Sequence, residues 1–168
     1  MAVDLAGLFG DLVRLETDLW TRVDTRIREE HDLPLAWFEP MQIISATPDC
    51  RVFDIAEALL ITVGGTSKLV DKIEAHGWCR RLPNPTDGRS NLIELTASGE
   101  ALLQDANVTF VETLAVYIGA AASESDLNQL SRTLRRLRRH VMITADRARL
   151  AGRQQTWANS KFKKEDQS

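Results

Sequence analysis

The sequence predicts a mainly α-helical chain with one small β-ribbon: short helices closed by the ribbon, carried between long helices at the two ends. Three observations predict it. Residues Arg80-Arg81-Leu82-Pro83-Asn84-Pro85-Thr86-Asp87-Gly88-Arg89-Ser90-Asn91-Leu92-Ile93-Glu94-Leu95-Thr96-Ala97-Ser98-Gly99 read as two short strands around a turn-forming tip, followed by a helix start. Directly before them lie two helix patterns, residues 52–60 and 62–76, separated by a tight turn. Seams of apolar residues at spacings of three and four mark the ends, Leu5, Leu8, Leu12, Leu15 and Leu19 early, Leu127, Leu130, Leu134, Leu137 and Val141 late.

Each element can be justified in chain order. The first seam continues through Val23 and Ile27, giving a helix over 5–31 that must bury one face against other long helices. Residues 35–47 form a second helix, entered through Pro34 and ended by Thr47-Pro48-Asp49; Pro40 removes one backbone hydrogen bond, which suggests a bend or a later start there. Val52, Ile55, Ala56 and Leu59 give a third helix its inward face. The fourth starts at Thr62 or Gly64 and runs to His76, with Leu69, Val70 and Ile73 inward and Gly77 as its stop. After the ribbon, Thr96 can cap a long helix through Leu103, Phe110, Leu114, Tyr117, Ile118 and Ala121. Ser123 caps the last helix with Asp126 three residues on, an acidic variant of the capping box. From Arg147 to Ser168 periodicity is lost, and the stretch reads as a helix extension that frays into a tail.

Composition excludes several classes. At 168 residues, 43% hydrophobic and 27% charged, the chain has the balance of an ordinary cytoplasmic protein and is neither disordered nor secreted. No apolar run approaches the roughly eighteen residues of a membrane span, and Met1-Ala2-Val3-Asp4 is not a signal-peptide start, so a cytoplasmic location is expected. Cys50 and Cys79 stand 29 positions apart with only three scattered histidines, which gives neither a disulfide framework nor a metal site, and no cofactor is expected. Cys79, at an apolar ribbon position, reads as an inert packed thiol rather than a redox sensor. No nucleophile elbow, phosphate loop or metal-ligand spacing occurs, so the chain is not expected to be an enzyme.

The net charge of −3 hides an uneven distribution. Residues 1–32 carry eight acids against four bases, whereas residues 132–153 carry eight arginines against one acid. The acidic first helix could lie against the arginine-rich last one, although a solvated face is the plainer reading of the arginine run. More amphipathic helix is present than one small core can cover, which points to an intertwined homodimer.

Helix, turn, helix and ribbon, in that order, can set one helix in a major groove with an arginine-tipped wing beside it. The opening of the second helix suits that task. Thr62, Thr66 and Ser67 offer hydroxyls, Gly64 and Gly65 let backbone amides come close, and Lys68 and Lys72 add positive charge one turn apart. Two glycines cost roughly 1 kcal/mol each inside a helix, so they ask for a reason; the alternative is a loose turn with capping hydroxyls. At the ribbon, Arg80 and Arg81 add charge, and Asp87 is placed to hold Arg89 or fix the tip, leaving guanidinium groups to enter a minor groove. A hairpin held by an Asp-Arg pair is the alternative there.

These residues resemble the winged helix-turn-helix core of the MarR family of bacterial transcription regulators. The resemblance is carried by Ile55-Ala56-Glu57-Ala58-Leu59, by Ser67-Lys68-Leu69-Val70-Asp71-Lys72-Ile73-Glu74, and by Gly77-Trp78-Cys79-Arg80-Arg81 leading into the ribbon. Asp87-Gly88-Arg89 and the closing Leu95-Thr96-Ala97-Ser98-Gly99 complete it. It covers residues 35–103, and the flanking helices extend it. The resemblance implies an obligate dimer on a near-palindromic operator, Arg89 in the minor groove, and release of DNA when a small phenolic or anionic effector binds between the dimer and DNA-binding regions. Gly64 and Gly65 depart from the polar residues common early in that helix. Neither cysteine lies near the N-terminus, where peroxide-sensing relatives carry theirs.

The resulting expectation is a mainly α fold with a small β-wing: a dimerisation helix at 1–33, a winged helix-turn-helix DNA-binding domain at 34–100, dimerisation helices at 101–146, and a helix extension or flexible tail at 147–168. The expected function is a ligand-responsive, homodimeric DNA-binding regulator, a repressor in the sense usual for that family. The alternative is a winged-helix protein-interaction module without DNA contact. Expected DNA contacts are Thr62, Gly64, Gly65, Thr66, Ser67, Lys68, Lys72, Arg80, Arg81, Asp87 and Arg89. Trp20, His31, Trp37 and Phe38, on the first two helices or their junction where family pockets form, are the expected effector residues, since an aromatic ligand stacks on such rings.

Overall fold

A computed structural model describes the backbone of residues 2–165 and the side chains of residues 2–144. In order it contains α1 (Leu5–His31), α2 (Leu35–Ala46), α3 (Val52–Leu59), α4 (Val63–Ala75), β1 (Cys79–Pro83), β2 (Asn91–Leu95), α5 (Ala97–Leu114), a π-helical turn (Ala115–Gly119) and α6 (Glu124–Glu165). The chain divides into two compact units, Met1–Ile118 and Gly119–Ser168. No single helix among the described residues is long and apolar enough to cross a membrane.

The first unit is built around one core. Asp4 caps α1 by accepting the Gly7 amide at 3.0 Å, but only Val23 and Ile27, near the other end, are buried on that helix. The leucine seam before them is uncovered: Leu5, Leu8, Leu12 and Leu15 all stand exposed. Asp24 accepts the Leu35 amide at 2.8 Å, which fixes the corner from α1 into α2. Phe38, Met41 and Ile44 of α2 then meet Ile55 of α3, Val70 and Ile73 of α4, Ile93 of β2, and Leu103 and Ala106 of α5. Phe38 is fully buried and lies 5.1 Å, ring to ring, from Phe110. A side chain of that size contributes about 3 kcal/mol by burial.

Two expectations are corrected here. Helix α2 starts at Leu35, as the sequence predicts, and passes through Pro40, so of the two consequences expected of that proline the later start does not occur. The carbonyl that loses its partner belongs to Ala36, an exposed residue that water can serve. The helix expected to continue from Leu114 through Ala121 widens instead into a π turn, and Tyr117 faces outward, its ring 4.8 Å beneath the Arg22 guanidinium.

Three contacts position the ribbon. Strands β1 and β2 pair antiparallel in the register Cys79 with Leu95 through Pro83 with Asn91. The free edge of β2 is covered by the loop before α3, where the Ile93 amide donates to the Cys50 carbonyl at 2.7 Å and Arg51 bridges Leu92. At the far end Thr96 caps α5, its hydroxyl accepting the Gly99 amide at 3.1 Å and donating to the Gly77 carbonyl at 2.6 Å. Ser98 donates to the same carbonyl at 3.1 Å.

In the second unit Ser123 accepts the Asp126 amide at 3.2 Å and donates to its carboxylate at 2.6 Å, the cap expected from sequence. The seam residues Leu130, Leu134, Leu137 and Val141 of α6 are exposed. In the stretch expected as a helix extension or tail, the backbone of α6 continues as helix to Glu165, whereas side chains beyond residue 144 and residues 166–168 lie outside the described residues.

Candidate nucleic-acid interface

Helix α4 is started by Thr62, whose hydroxyl accepts the Gly65 amide at 3.2 Å, and is stopped by Gly77 at φ +74°. The turn that delivers it is tight. Leu60 takes the left-handed conformation at φ 57°, and its amide and that of Ile61 satisfy the last carbonyls of α3. A leucine there carries about 1 kcal/mol of strain that a glycine would not.

Thr66, Val70 and Ile73 turn into the core. Gly64, Lys68 and Lys72 face away from it and are exposed. A Cβ built on Gly64 meets nothing within 4 Å, so the fold itself does not demand a glycine there. Thr66 corrects the sequence reading: it is 0% exposed and its hydroxyl donates to the Thr62 carbonyl at 3.0 Å, so it packs α4 onto the core and presents nothing outward. Ser67 is half-buried, its carbonyl accepting from Arg81 at 3.4 Å.

The two arginines at the base of the ribbon are also occupied. Arg81 reaches back to α4, where it pairs with Glu74 and, at 2.6 Å, with Asp71. Its amide donates to Glu74 at 3.0 Å as well. Arg80 pairs across the strands with Glu94. Expected as phosphate contacts, both instead spend their charge inside the protein: Arg81 ties wing to helix and Arg80 ties strand to strand. The sequence shows Glu74 and Arg81 on either side of the Gly77 stop, but only the fold brings them together.

The tip orders itself. Asn84 donates to Ser90 at 3.0 Å and accepts the Thr86 amide at 3.0 Å. One Asp87 oxygen accepts the Arg89 amide at 3.0 Å and the other accepts the Ser90 hydroxyl at 3.2 Å. Asp87 therefore holds the backbone of Arg89 and leaves its guanidinium unpaired and exposed. Among the described residues between Thr62 and Asn91, the cations outside any ion pair are Lys68, Lys72 and Arg89.

The four expected effector residues do not converge. Phe38 is core. Trp37 stacks edge-on against His76 at 4.8 Å and Trp78 at 6.0 Å. His31 bonds to Thr109 at 2.8 Å, and Thr109 in turn donates to Glu30 at 2.6 Å. Trp20 is part-exposed on α1. One cavity, about 750 Å³ between α1 and the end of α5, is lined by other residues, among them Asp18, Arg22, Glu29, Glu112, Thr113 and Tyr117.

Both cysteines are buried, and burial pushes each thiol up to about 11, helped by Asp54 at Cys50 and by Glu74 at Cys79. Neither should react with a thiol-directed disulfide reagent at neutral pH until the protein unfolds. Fast labelling of one thiol in the folded protein would contradict this.

A helix-turn-helix whose second helix is braced against an arginine-tipped ribbon defines a winged-helix protein. Residues 33–90 match the model of the MarR family. The multiple antibiotic resistance protein MarR of Escherichia coli (strain K12) is 29% identical over 73 residues, 44% of this chain and 51% of that protein. The matched stretch thus spans about half the length of this curated relative. The fold extends further. Sco3205, a MarR family transcriptional regulator from Streptomyces coelicolor solved in complex with DNA, superposes with a TM-score of 0.74 at 19% identity, over 82% of this chain and 87% of that one. CouR from Rhodococcus jostii RHA1, bound to p-coumaroyl-CoA, gives 0.69 at 21% identity, over 80% and 92%.

Proposed function

We propose that this chain is a transcriptional regulator that binds a near-palindromic operator as a homodimer, repressing in its unliganded state. The observation that carries the reading is where the free charge falls. Lys68 and Lys72 lie on the outward face of α4 and Arg89 on the tip of the wing, outside any ion pair, while Arg80 and Arg81 are paired with carboxylates of the protein. A helix with cations suits a major groove and a lone guanidinium suits the narrow groove beside it. The uncovered seam of α1 and the exposed seam of α6 support the dimer, since apolar surface on that scale asks for a partner. A cytoplasmic location follows from the role.

A small effector belongs to the same reading. The α1–α5 cavity offers the Tyr117 ring with Arg22 over it, and a rim of mixed charge in which Arg22 and Arg26 stand among Asp18, Glu29 and Glu112, so it fits an aromatic molecule better than the four residues singled out in the sequence, without selecting for an anion.

Arg89→Ala is expected to weaken binding to the operator by about 1 to 3 kcal/mol with the melting temperature unchanged, the loss of one seated arginine. A gel shift on the DNA upstream of the chain's own gene reads it, and an unaltered affinity would contradict the wing's role. The exposed apolar residues Phe53, Leu60, Ile61 and Val63 around the turn favour a second reading, a winged helix that docks on protein. A flat anisotropy titration with duplex at low salt would favour that one.

A further inference from the structure

The side chains of the first turn of α4 offer carbon more than hydrogen-bonding atoms to whatever lies against it, while the Val63 and Gly64 amides stay open at the helix start. The Thr62 hydroxyl is taken by the Gly65 amide, Thr66 is buried, and Gly64 and Gly65 have no side chain. The side chain that remains is Val63, 50% exposed, with Ile61 at 45% beside the turn. No acid occurs between Thr62 and Val70, and the exposed Lys68 follows Val63 by five residues on the same helix. An apolar group backed by a cation asks for an apolar feature flanked by phosphate. The edge of a DNA major groove offers one such feature, the C5 methyl of thymine.

We infer that Val63 is a specificity-determining residue that packs on a thymine methyl in each half-site. The inference rests on the DNA-binding reading above and deepens it. Gly64 has a part in it: the space around its missing Cβ is open, so the glycine serves not the fold but the approach, letting the helix sit deep enough for the short valine to reach a base edge. Because Val63 carries no polar side-chain atom, its own readout is by shape and methyl contact, not by a bidentate hydrogen bond, and the open Val63 and Gly64 amides are left to a phosphate. Lys68 and Lys72 supply the attraction to phosphate that positions it.

The test uses the full chain and a random-sequence duplex library. Sequences that survive selection are resynthesised with deoxyuridine in place of each enriched thymidine, which removes the methyl and leaves every hydrogen-bonding atom in place. Wild-type protein is expected to lose roughly fourfold in affinity per half-site at one symmetric thymine, the factor for burying one methyl-sized group. Val63→Ala is expected to bind thymidine and deoxyuridine duplexes alike, whereas Val63→Ile keeps the discrimination. Because Val63 is half exposed on the first turn, the alanine variant should keep its circular dichroism and melting temperature.

Enriched sequences whose affinity ignores the methyl would overturn the inference while leaving DNA binding intact. Methyl sensitivity that survives in Val63→Ala would overturn it as well, and would return the apolar patch to a protein partner. A library that yields no enriched sequence and no duplex retention at low salt would instead remove the DNA-binding reading itself.

Discussion

Replacing Lys68, Lys72 and Arg89 together by glutamine is expected to weaken duplex binding on the order of a thousandfold near physiological salt, because a dimer would lose six cations at once. The slope of log affinity against log salt should fall by about 5 in the same variant. The fold should be untouched, since all three side chains are exposed and outside the ion pairs of the structure. The contrast is with Arg81→Gln. That change empties the site between Asp71 and Glu74 and should first loosen the wing and lower the melting temperature, with any loss of DNA affinity following from misplacement of the tip. Anisotropy titrations over a salt series separate the two. A triple variant that retains the wild-type slope would show that these cations do not meet phosphate.

Gly99→Ala, which adds a single methyl group, is expected to cost about 3 kcal/mol, the upper end for overpacking. A Cβ there would lie 1.9 Å from the Trp78 carbonyl oxygen and 2.8 Å from its carbon, both backbone atoms that no rotamer can move aside. Relief by sliding α5 away would break the hydrogen bonds from Thr96 and Ser98 to the Gly77 carbonyl, the clamp that holds the end of β2 against the end of α4. The glycine is thus required by close approach, not by its backbone angles. Urea unfolding measures it, with Gly64→Ala as the control. That position has open space and lies in the first turn of a helix, so alanine there should raise stability by up to about 1 kcal/mol. Equal effects at the two glycines would contradict the packing assigned to Gly99.

What could be read from the chain without coordinates was whatever depends on near neighbours. Thr62, Thr96 and Ser123 announce helix starts because a hydroxyl can reach an amide three residues on, and each makes that bond. Gly77 announces a stop, and the Pro, Asn and Asp-Gly pattern of residues 83–88 announces the turn of the wing. What could not be read depends on groups brought together by folding. Thr66 looks like a groove-facing hydroxyl in sequence, but its place on the same helical face as Val70 and Ile73 makes it core. Arg80 and Arg81 look like free charges until Glu94, Glu74 and Asp71 arrive from other elements. Trp20, His31, Trp37 and Phe38 share a stretch of chain but not a cavity, because the rotation along α1 and α2 sends them to different neighbours.

Hydroxyl-radical footprinting of the full-length protein on a duplex recovered by selection is the most direct test that α4 and the wing form a paired DNA-reading surface. Two symmetric stretches of protection, centred about one helical turn or a whole multiple of it apart, are the predicted result, with protection at the outer minor-groove segments lost in Arg89→Ala. A single unpaired footprint, or uniform cleavage at low salt with protein in excess, would contradict it.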